Sequence, residues 1–280
     1  MEKMQNKQKV WSVILTVYLV CFVFRLLEYF VLRTDKTVIG EAVVHKILGI
    51  GVLFLAIRTL QIRGSEIGLC RKHFGNNVIK GLGFGIATFV LAYGAEVVLQ
   101  MIKGNFDSLQ VYVSTYAVDE NVGNRTAWIF FLICILGNVI NVVMEEGIFR
   151  GLFGRVLERK YSFIVSAFFA SILFGVWHVV GPVRNYFDGT MSMGGMIANS
   201  LMLVGTSALV GFKFALLTKM TGNLAMAMGD HFVNNTIVNL LHVVSKTGAD
   251  ELMTVRLTIA QSVSCVVVLV YYLVKCHKKE

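Results

Sequence analysis

Long apolar stretches dominate the chain and recur at intervals typical of stacked transmembrane helices. The first, residues 11–32, follows Lys3, Lys7 and Lys9 and is long enough, at roughly 20 residues, to span a bilayer. Further stretches follow at residues 40–60, 78–102, 127–149, 162–180, 194–217, 222–243 and 255–275. The pattern therefore predicts an all-α fold, a multi-pass bundle of about eight transmembrane helices that forms one domain over residues 1–280.

Small residues are concentrated in two of these stretches. The third opens with Gly81, Gly83 and Gly85, and the sixth carries glycines and serines throughout residues 194–211. A Gly-x-Gly-x-Gly run can bind phosphate when it follows a strand, but no strand is predicted before this one. We therefore expect the small residues to let neighbouring helices pack closely, as they do in other membrane proteins.

The composition supports a membrane protein and argues against other classes. Hydrophobic residues make up 56% of the chain and charged residues only 15%, whereas a soluble domain has about half and a quarter. The net charge of +9 does not predict a nucleic-acid partner, because most cations lie in short loops between apolar stretches. The five cysteines are scattered singly, so neither a disulfide framework nor a cysteine metal site is indicated.

The distribution of lysine and arginine predicts the orientation. With the N-terminus inside the cell, the cytoplasmic segments carry sixteen of these residues and the outer segments seven. This bias favours a cell-membrane protein with both termini in the cytoplasm. The other three, Arg25, Lys46 and Arg150, lie within apolar stretches, and Arg25 is spaced to pair with Glu28 on one helical face.

The fourth apolar stretch contains two adjacent carboxylates, Glu145 and Glu146. Ionisable groups at membrane depth are costly and are retained mainly where they face a bundle interior and have a function. Glu146 precedes Arg150 by four residues, the better order for a helical ion pair. Glu145 instead continues a polar stripe with Asn138 and Asn141, about 100° away from Glu146. We expect Glu145 to face the centre, although a structural ion pair with a spare carboxylate fits the same residues.

The fifth stretch carries Phe174 and His178 and is expected to end at Gly181-Pro182. A single histidine near a helix end is more often a satisfied polar residue than a catalyst. If the fourth and fifth helices form an antiparallel hairpin that turns near Tyr161, however, Glu145 and His178 lie roughly 24–26 Å from the turn, at the same level.

The seventh stretch is the most polar. His231, Asn235 and Asn239 are spaced four apart and share one helical face, which His242 extends. Such a face is costly against lipid and should point into the bundle. Taken by itself, it fits a transport pathway as well as a reaction site.

Together these residues suit peptide-bond hydrolysis. A carboxylate and a neutral imidazole can activate a water molecule, the role that Glu145 and His178 fit. A second imidazole and an amide, His231 and Asn235, can donate hydrogen bonds to the developing oxyanion. Motifs of serine hydrolases and zincins are absent. Glu145, His178 and His231 could also hold a zinc ion with an open position, but nothing in the spacing requires one, so no cofactor is favoured.

Three motifs carry a resemblance to a known family. They are Glu145-Glu146-x-x-x-Arg150, Phe174-x-x-x-His178 and His231-x-x-x-Asn235, in this order within a predicted core of residues 127–243. The pattern resembles that of the CPBP family of intramembrane proteases, also called the CAAX-protease or Abi family.

The resemblance implies an eight-helix fold with the active site inside the membrane. It implies Glu145 as the base, His178 as its partner on the water, and His231 with Asn235 as the oxyanion site. Glu146, Arg150 and Phe174 are the supporting positions of the motifs. Members have been described both as metalloproteases and as glutamate-dependent enzymes, and we favour the glutamate-dependent mechanism here.

The resemblance leaves the substrate open. Eukaryotic members remove the last three residues of prenylated CAAX proteins, and bacterial relatives are linked to peptide-pheromone maturation and bacteriocin self-immunity. The compact chain favours a bacterial member acting on a membrane-associated or lipidated peptide or protein. Two other functions fit parts of the sequence: a non-proteolytic scaffold or immunity factor that binds a peptide, and a small-solute transporter. The intact set of motifs favours the protease, because a scaffold needs no water-activating pair.

Overall fold

The structure, a computed structural model, describes residues 2–37, 39–114 and 125–277. Helices fill most of it in the predicted order. They are α1 (Glu2–Leu27), continued by a π-helical turn (Glu28–Leu32), α2 (Val44–Thr59), α3 (Phe74–Ile102), α4 (Trp128–Glu145), continued by a π-helical segment (Glu146–Phe153), α5 (Gly154–Glu158), α6 (Phe163–Trp177), α7 (Val180–Phe187), α8 (Met193–Thr221), α9 (Ala225–Leu240) and α10 (Met253–His277). Short 3-10 turns lie at Thr34–Lys36 and Gly64–Ile67.

Within the described residues, six helical runs are long and apolar enough to cross a membrane. They are Lys9–Lys36, Phe74–Ile102, Trp128–Glu158, Phe163–Phe187, Met193–Thr221 and Met253–Lys275. The predicted all-α, multi-pass bundle is therefore confirmed. Helices α2 and α9 lie where two further spans were predicted, but with 16 residues each they are shorter than a typical span.

The distribution of side chains differs from that in a water-soluble protein. Large apolar side chains cover the outside, such as Ile102 at 77% exposure and Leu201 at 69%. Polar side chains lie inside, among them Glu145, Glu146 and His231, none more than 4% exposed. This arrangement suits a protein surrounded by lipid, where the polar groups must find their partners within the bundle.

The loops gather at two opposite ends of the bundle. At one end, Arg155 donates to Glu66 at 2.9 Å, and the Asn223 amide donates to the carbonyl of Cys70 at 3.0 Å. These loops are the ones predicted to be cytoplasmic. Of the cations in the charge count, Lys278 and Lys279 lie outside the described residues, as do the side chains of Lys3 and Lys7.

A small antiparallel sheet covers the other end. Its strands, β1 (Phe106–Val111) and β2 (Leu241–Ser245), were not predicted, because their pairing joins residues far apart in sequence. The expectation that His242 extends the polar face of α9 is wrong, since α9 ends at Leu240. His242 lies in β2, stacks on Tyr112 with ring centroids 3.8 Å apart, and contacts Asp250 at 2.5 Å.

Asp250 links this sheet to α10 by accepting hydrogen bonds from His242 and Arg256. Burial by itself would raise the pKa of Asp250, but the hydrogen bond from His242 and the nearby Arg256 guanidinium lower that pKa below its usual value.

Two further expectations need correction. Helix α6 ends at Trp177 rather than at residue 180, and Pro182 lies in the first turn of α7, where a missing backbone N–H costs little. The expected pair between Arg25 and Glu28 is not formed. Glu28 instead meets the His45 ring, and Arg25 donates to the Tyr29 hydroxyl at 3.1 Å.

Close packing through glycine is confirmed at two of the three positions in the first half of α3. A Cβ added at Gly81 would lie 2.2 Å from the Met226 carbonyl oxygen of α9, and one at Gly85 would lie 2.8 Å from Val233. Gly83 has no neighbour within 4 Å, so it faces away from this contact. The sixth stretch shows the same feature at Gly211, which lies against Arg150.

We expect Gly81→Ala to destabilise the protein by about 1–3 kcal/mol, because its methyl group overlaps backbone atoms of α9 that cannot move aside. Gly83→Ala is the matched control and should be neutral or stabilising by up to about 1 kcal/mol, since alanine is the better helix former. Thermal unfolding of the two variants in detergent measures the difference. Equal midpoints would contradict the α3–α9 contact.

Candidate active site

Glu145 is the last residue of α4, and its carboxylate is held on both oxygens. Oε1 accepts a hydrogen bond from the Trp177 indole N–H at 3.1 Å, and Oε2 accepts one from the Asn141 amide at 3.3 Å. Asn141 lies one turn earlier on the same face, as the polar stripe predicts. Trp177 adjoins His178, so the predicted common level of the fourth and fifth helices agrees with the structure to within a residue.

Glu146 opens the π-helical segment and forms the predicted ion pair with Arg150, whose Nη1 lies 3.2 Å from Oε1. The Arg150 guanidinium also donates from Nε to the Gly211 carbonyl of α8 at 3.3 Å. It lies over the Phe174 ring at 3.9 Å and the Phe214 ring at 5.2 Å. Arg150 therefore connects the π-helical segment to α6 and α8.

His231 lies between the two glutamates. Its Nδ1 is 2.8 Å from Glu146 Oε1, and its Nε2 is 3.5 Å from Glu145 Oε2. The ring stacks on Phe214 with centroids 4.8 Å apart. Because a carboxylate only accepts, Nδ1 carries a proton and Nε2 is the end of the ring directed towards Glu145.

Phe174 connects the motif residues through its ring. Beyond its contact with Arg150, it meets the edges of His178 at 4.8 Å and His231 at 6.2 Å between centroids. His178 is half-buried, and its Nδ1 donates to the Phe174 carbonyl at 2.8 Å. Since a carbonyl cannot donate, the proton lies on Nδ1 and the lone pair of Nε2 is available to accept a proton.

Asn235 lies one turn after His231 on α9 and is half-buried. Its Oδ1 accepts a hydrogen bond from the neighbouring Asn234 amide at 3.0 Å. The motif side chains thus come from α4, the π-helical segment, α6 with the residue that follows it, and α9.

The interpretation of the sequence missed Trp177 and the contribution of the N-terminal helices. The Trp177 side chain is 1% exposed, with the Arg25 guanidinium 4.6 Å from its ring and the His45 ring 5.9 Å away. One signal was present, because a buried tryptophan usually finds an acceptor for its N–H. Nothing in the spacing of Arg25 or His45 indicates that they reach this tryptophan.

The described residues contain no group of three or more His, Cys, Asp or Glu side chains arranged to hold a metal ion. Glu145, His178 and His231 have the donor types that zinc accepts, and Glu145 and His231 lie in one cluster. The His178 Nδ1 is engaged by a carbonyl, so a metal would have to bind its Nε2.

Comparison with known families gives one match. Residues 126–237 match the model of the Rce1-like family, described as type II CAAX prenyl endopeptidase Rce1-like. Over this segment, which is 112 of the 280 residues, the chain resembles the CAAX-protease family. The matched segment contains all seven motif residues, from Glu145 to Asn235, whereas α1–α3 and α10 lie outside it. No match was found among curated proteins.

The match to this family and the six apolar helical runs among the described residues together support a multi-pass membrane protein. The resemblance drawn from the three motifs is therefore confirmed.

Proposed function

We propose that the protein is an intramembrane endopeptidase that hydrolyses a peptide bond of a membrane-associated peptide or protein with a water molecule activated by Glu145 and His178. The observation that carries the proposal is the meeting of the three motifs in one cluster. His231 lies between Glu145 and Glu146, and Phe174 contacts both His178 and His231. A structural role alone requires the Glu146–Arg150 pair but gives no reason for a second carboxylate beside the same imidazole.

Glu145 has the properties of a general base. Two of its lone-pair positions are occupied by Trp177 and Asn141, which orient the carboxylate and leave other positions for a water molecule. Hydrogen bonds to a carboxylate also favour its charged form, which is the form that removes a proton. Nε2 of His178 accepts a hydrogen bond from the same water in this proposal.

The reaction then balances without another reactant. Glu145 takes a proton from water as the hydroxide oxygen bonds to the carbonyl carbon, forming a tetrahedral intermediate with a negative oxygen. His231 Nε2, when protonated, and the Asn235 amide donate to that oxygen, an effect often worth about 3–4 kcal/mol. Glu145 passes the proton to the leaving nitrogen as the C–N bond breaks.

The substrate class and orientation are part of the proposal. The family description, type II CAAX prenyl endopeptidase, supports a peptide that carries a prenyl group or a similar apolar anchor. We propose that both termini lie in the cytoplasm, because Trp11 of α1 and Lys275 of α10 contact Tyr161 and Met220, which lie in or next to the loops richer in lysine and arginine.

Cleavage by purified protein in detergent tests the function. Quenched peptides with a cysteine near the C-terminus, each prepared with and without a farnesyl group, are incubated with wild-type protein, and the fragments are identified by mass spectrometry. We expect cleavage at one bond, and faster cleavage of the farnesylated member of each pair, because the lipid concentrates the peptide at the bundle.

Adding a metal chelator to the same assay tests the mechanism. An unchanged rate in the presence of chelator supports the glutamate-dependent mechanism. Loss of cleavage on chelation with recovery on adding zinc would overturn it and assign Glu145, His178 and His231 as ligands of a metal that activates the water. Absence of cleavage on every peptide, farnesylated or not, would contradict the proposed substrate class.

A further inference from the structure

A line of hydrogen-bonded side chains runs from α8 through α10 to the site residue Asn235. Lys213 Nζ donates to Gln261 Oε1 at 3.2 Å. Gln261 Nε2 donates to Asn234 Oδ1, and Asn234 Nδ2 donates to Asn235 Oδ1 at 3.0 Å. Lys213 and Gln261 belong to none of the three motifs, and Gln261 lies outside the matched family segment.

Lys213 determines which group donates and which accepts in each hydrogen bond of this line. Its side chain is 2% exposed. Its Nζ donates hydrogen bonds to Ser264 at 3.1 Å and to Gln261, and it forms an ion pair with Asp230 at 2.8 Å. An ammonium group only donates, so the Gln261 group that faces it has to be the carbonyl oxygen. The lysine itself is held in place because Asp230 neutralises its charge inside the bundle.

The donor-to-acceptor order continues along the line because each amide has one accepting and one donating end. With its oxygen on Lys213, Gln261 turns its NH₂ group towards Asn234. Asn234 therefore accepts with its oxygen and turns its own NH₂ group towards Asn235. Asn235 then accepts with Oδ1, which leaves its Nδ2 as the free end. Among the residues that the structure describes, Asn235 Nδ2 has no hydrogen-bond partner.

We propose that Lys213, Gln261 and Asn234 are positioning residues that fix the amide of Asn235 so that its N–H donor, rather than its oxygen, is presented to the reacting carbonyl. This inference rests on the proposed function, in which Asn235 donates to the oxyanion. An asparagine amide is nearly symmetric in shape, so packing alone distinguishes its two orientations poorly. An oxygen presented in place of the N–H would repel the developing negative charge.

Gln261→Glu tests the proposal because it should reverse the donor and acceptor roles along the line, while the shape of the side chain changes little. A carboxylate at residue 261 still accepts from Lys213, but it has no N–H to donate. Asn234 would turn its NH₂ group towards residue 261 and its oxygen towards Asn235, which would then turn its own NH₂ group away from the site. We expect kcat to fall roughly tenfold to a hundredfold, which is no more than the fall caused by removing an oxyanion donor. KM should change little.

Asn234→Asp should reverse the same donor and acceptor roles at the residue that bonds directly to Asn235, and it places no new charge beside Lys213. It should lower kcat in the same way, so the proposal stays testable if Gln261→Glu folds poorly. Gln261→Leu interrupts the line without reversing it and should cost less than Gln261→Glu. Gln110→Glu is the control for added charge, because Gln110 is exposed on β1, and its kinetics should equal those of wild type.

The Asn235→Ala background separates positioning from general damage. If Gln261 acts through Asn235, adding Gln261→Glu to Asn235→Ala should lower kcat no further, whereas a merely structural role would give additive losses. Additive losses, or Gln261→Glu kinetics equal to those of wild type in folded protein, would overturn the proposal. Its failure is distinct from failure of the proposed function, since Asn235→Ala by itself would still lower kcat.

Discussion

Glu145→Gln is expected to lower kcat for peptide cleavage by roughly 10²–10⁴-fold, the contribution of a positioned general base. Glutamine keeps the length and shape of the side chain, and its Oε1 can still accept from the Trp177 indole. It cannot take a proton from water, so the step that generates the nucleophile is lost while the packing around residue 145 remains. The rate is measured with purified variant protein on the peptide that wild type cleaves fastest.

Glu158→Gln is the matched control, because Glu158 lies on the same helical run but pairs with Lys219 at 3.6 Å near the surface. It should cleave at the wild-type rate. His178→Ala should also lower kcat strongly, since the Nε2 acceptor disappears. Cleavage by Glu145→Gln at the wild-type rate would contradict the proposed mechanism.

The fold was largely predictable because lipid makes the hydrophobic pattern simple. A helix that crosses the membrane needs a long apolar stretch, and each predicted stretch corresponds to a helix. The π-helical segment Glu146–Phe153 was not predictable, since it continues α4 without a proline. The β1–β2 sheet was missed for another reason. Its strands are short, and the register that pairs Gln110 with His242 depends on how α3 and α9 bring their ends together.

The candidate site was predictable where its chemistry lies within one helix. The spacing of Glu146 and Arg150 predicts their ion pair, and the spacing of Asn141 and Glu145 predicts a shared face. Contacts between helices carry no such signal. That Trp177, rather than His178, donates to Glu145, and that His231 bridges both glutamates, depends on the rotation of α6 and α9 about their axes. Periodicity fixes which residues share a face but not which neighbour that face meets.

Arg150→Met is expected to destabilise the protein by about 3–5 kcal/mol, because it leaves Glu146 buried without its cation. Glu146 is 0% exposed, and its Oε2 has no hydrogen-bond partner among the residues that the structure describes. With Arg150 removed, His231 is the remaining partner of the Glu146 carboxylate, so cleavage should fall as well. Thermal unfolding in detergent measures the stability.

Arg155→Met provides a matched control for the loss of Arg150. Arg155 pairs with Glu66 at 2.9 Å, but its side chain is 41% exposed, so water replaces the lost partner and the cost should be at most about 1 kcal/mol. Combining Arg150→Met with Glu146→Gln should recover much of the lost stability, because both buried charges are then removed together. A double variant as unstable as Arg150→Met would show instead that the guanidinium acts through Phe174, Phe214 and Gly211 rather than through its charge. A stable double variant that still cleaves would assign the ion pair to folding and leave the chemistry to Glu145, because the glutamine oxygen at residue 146 can still accept from His231 Nδ1.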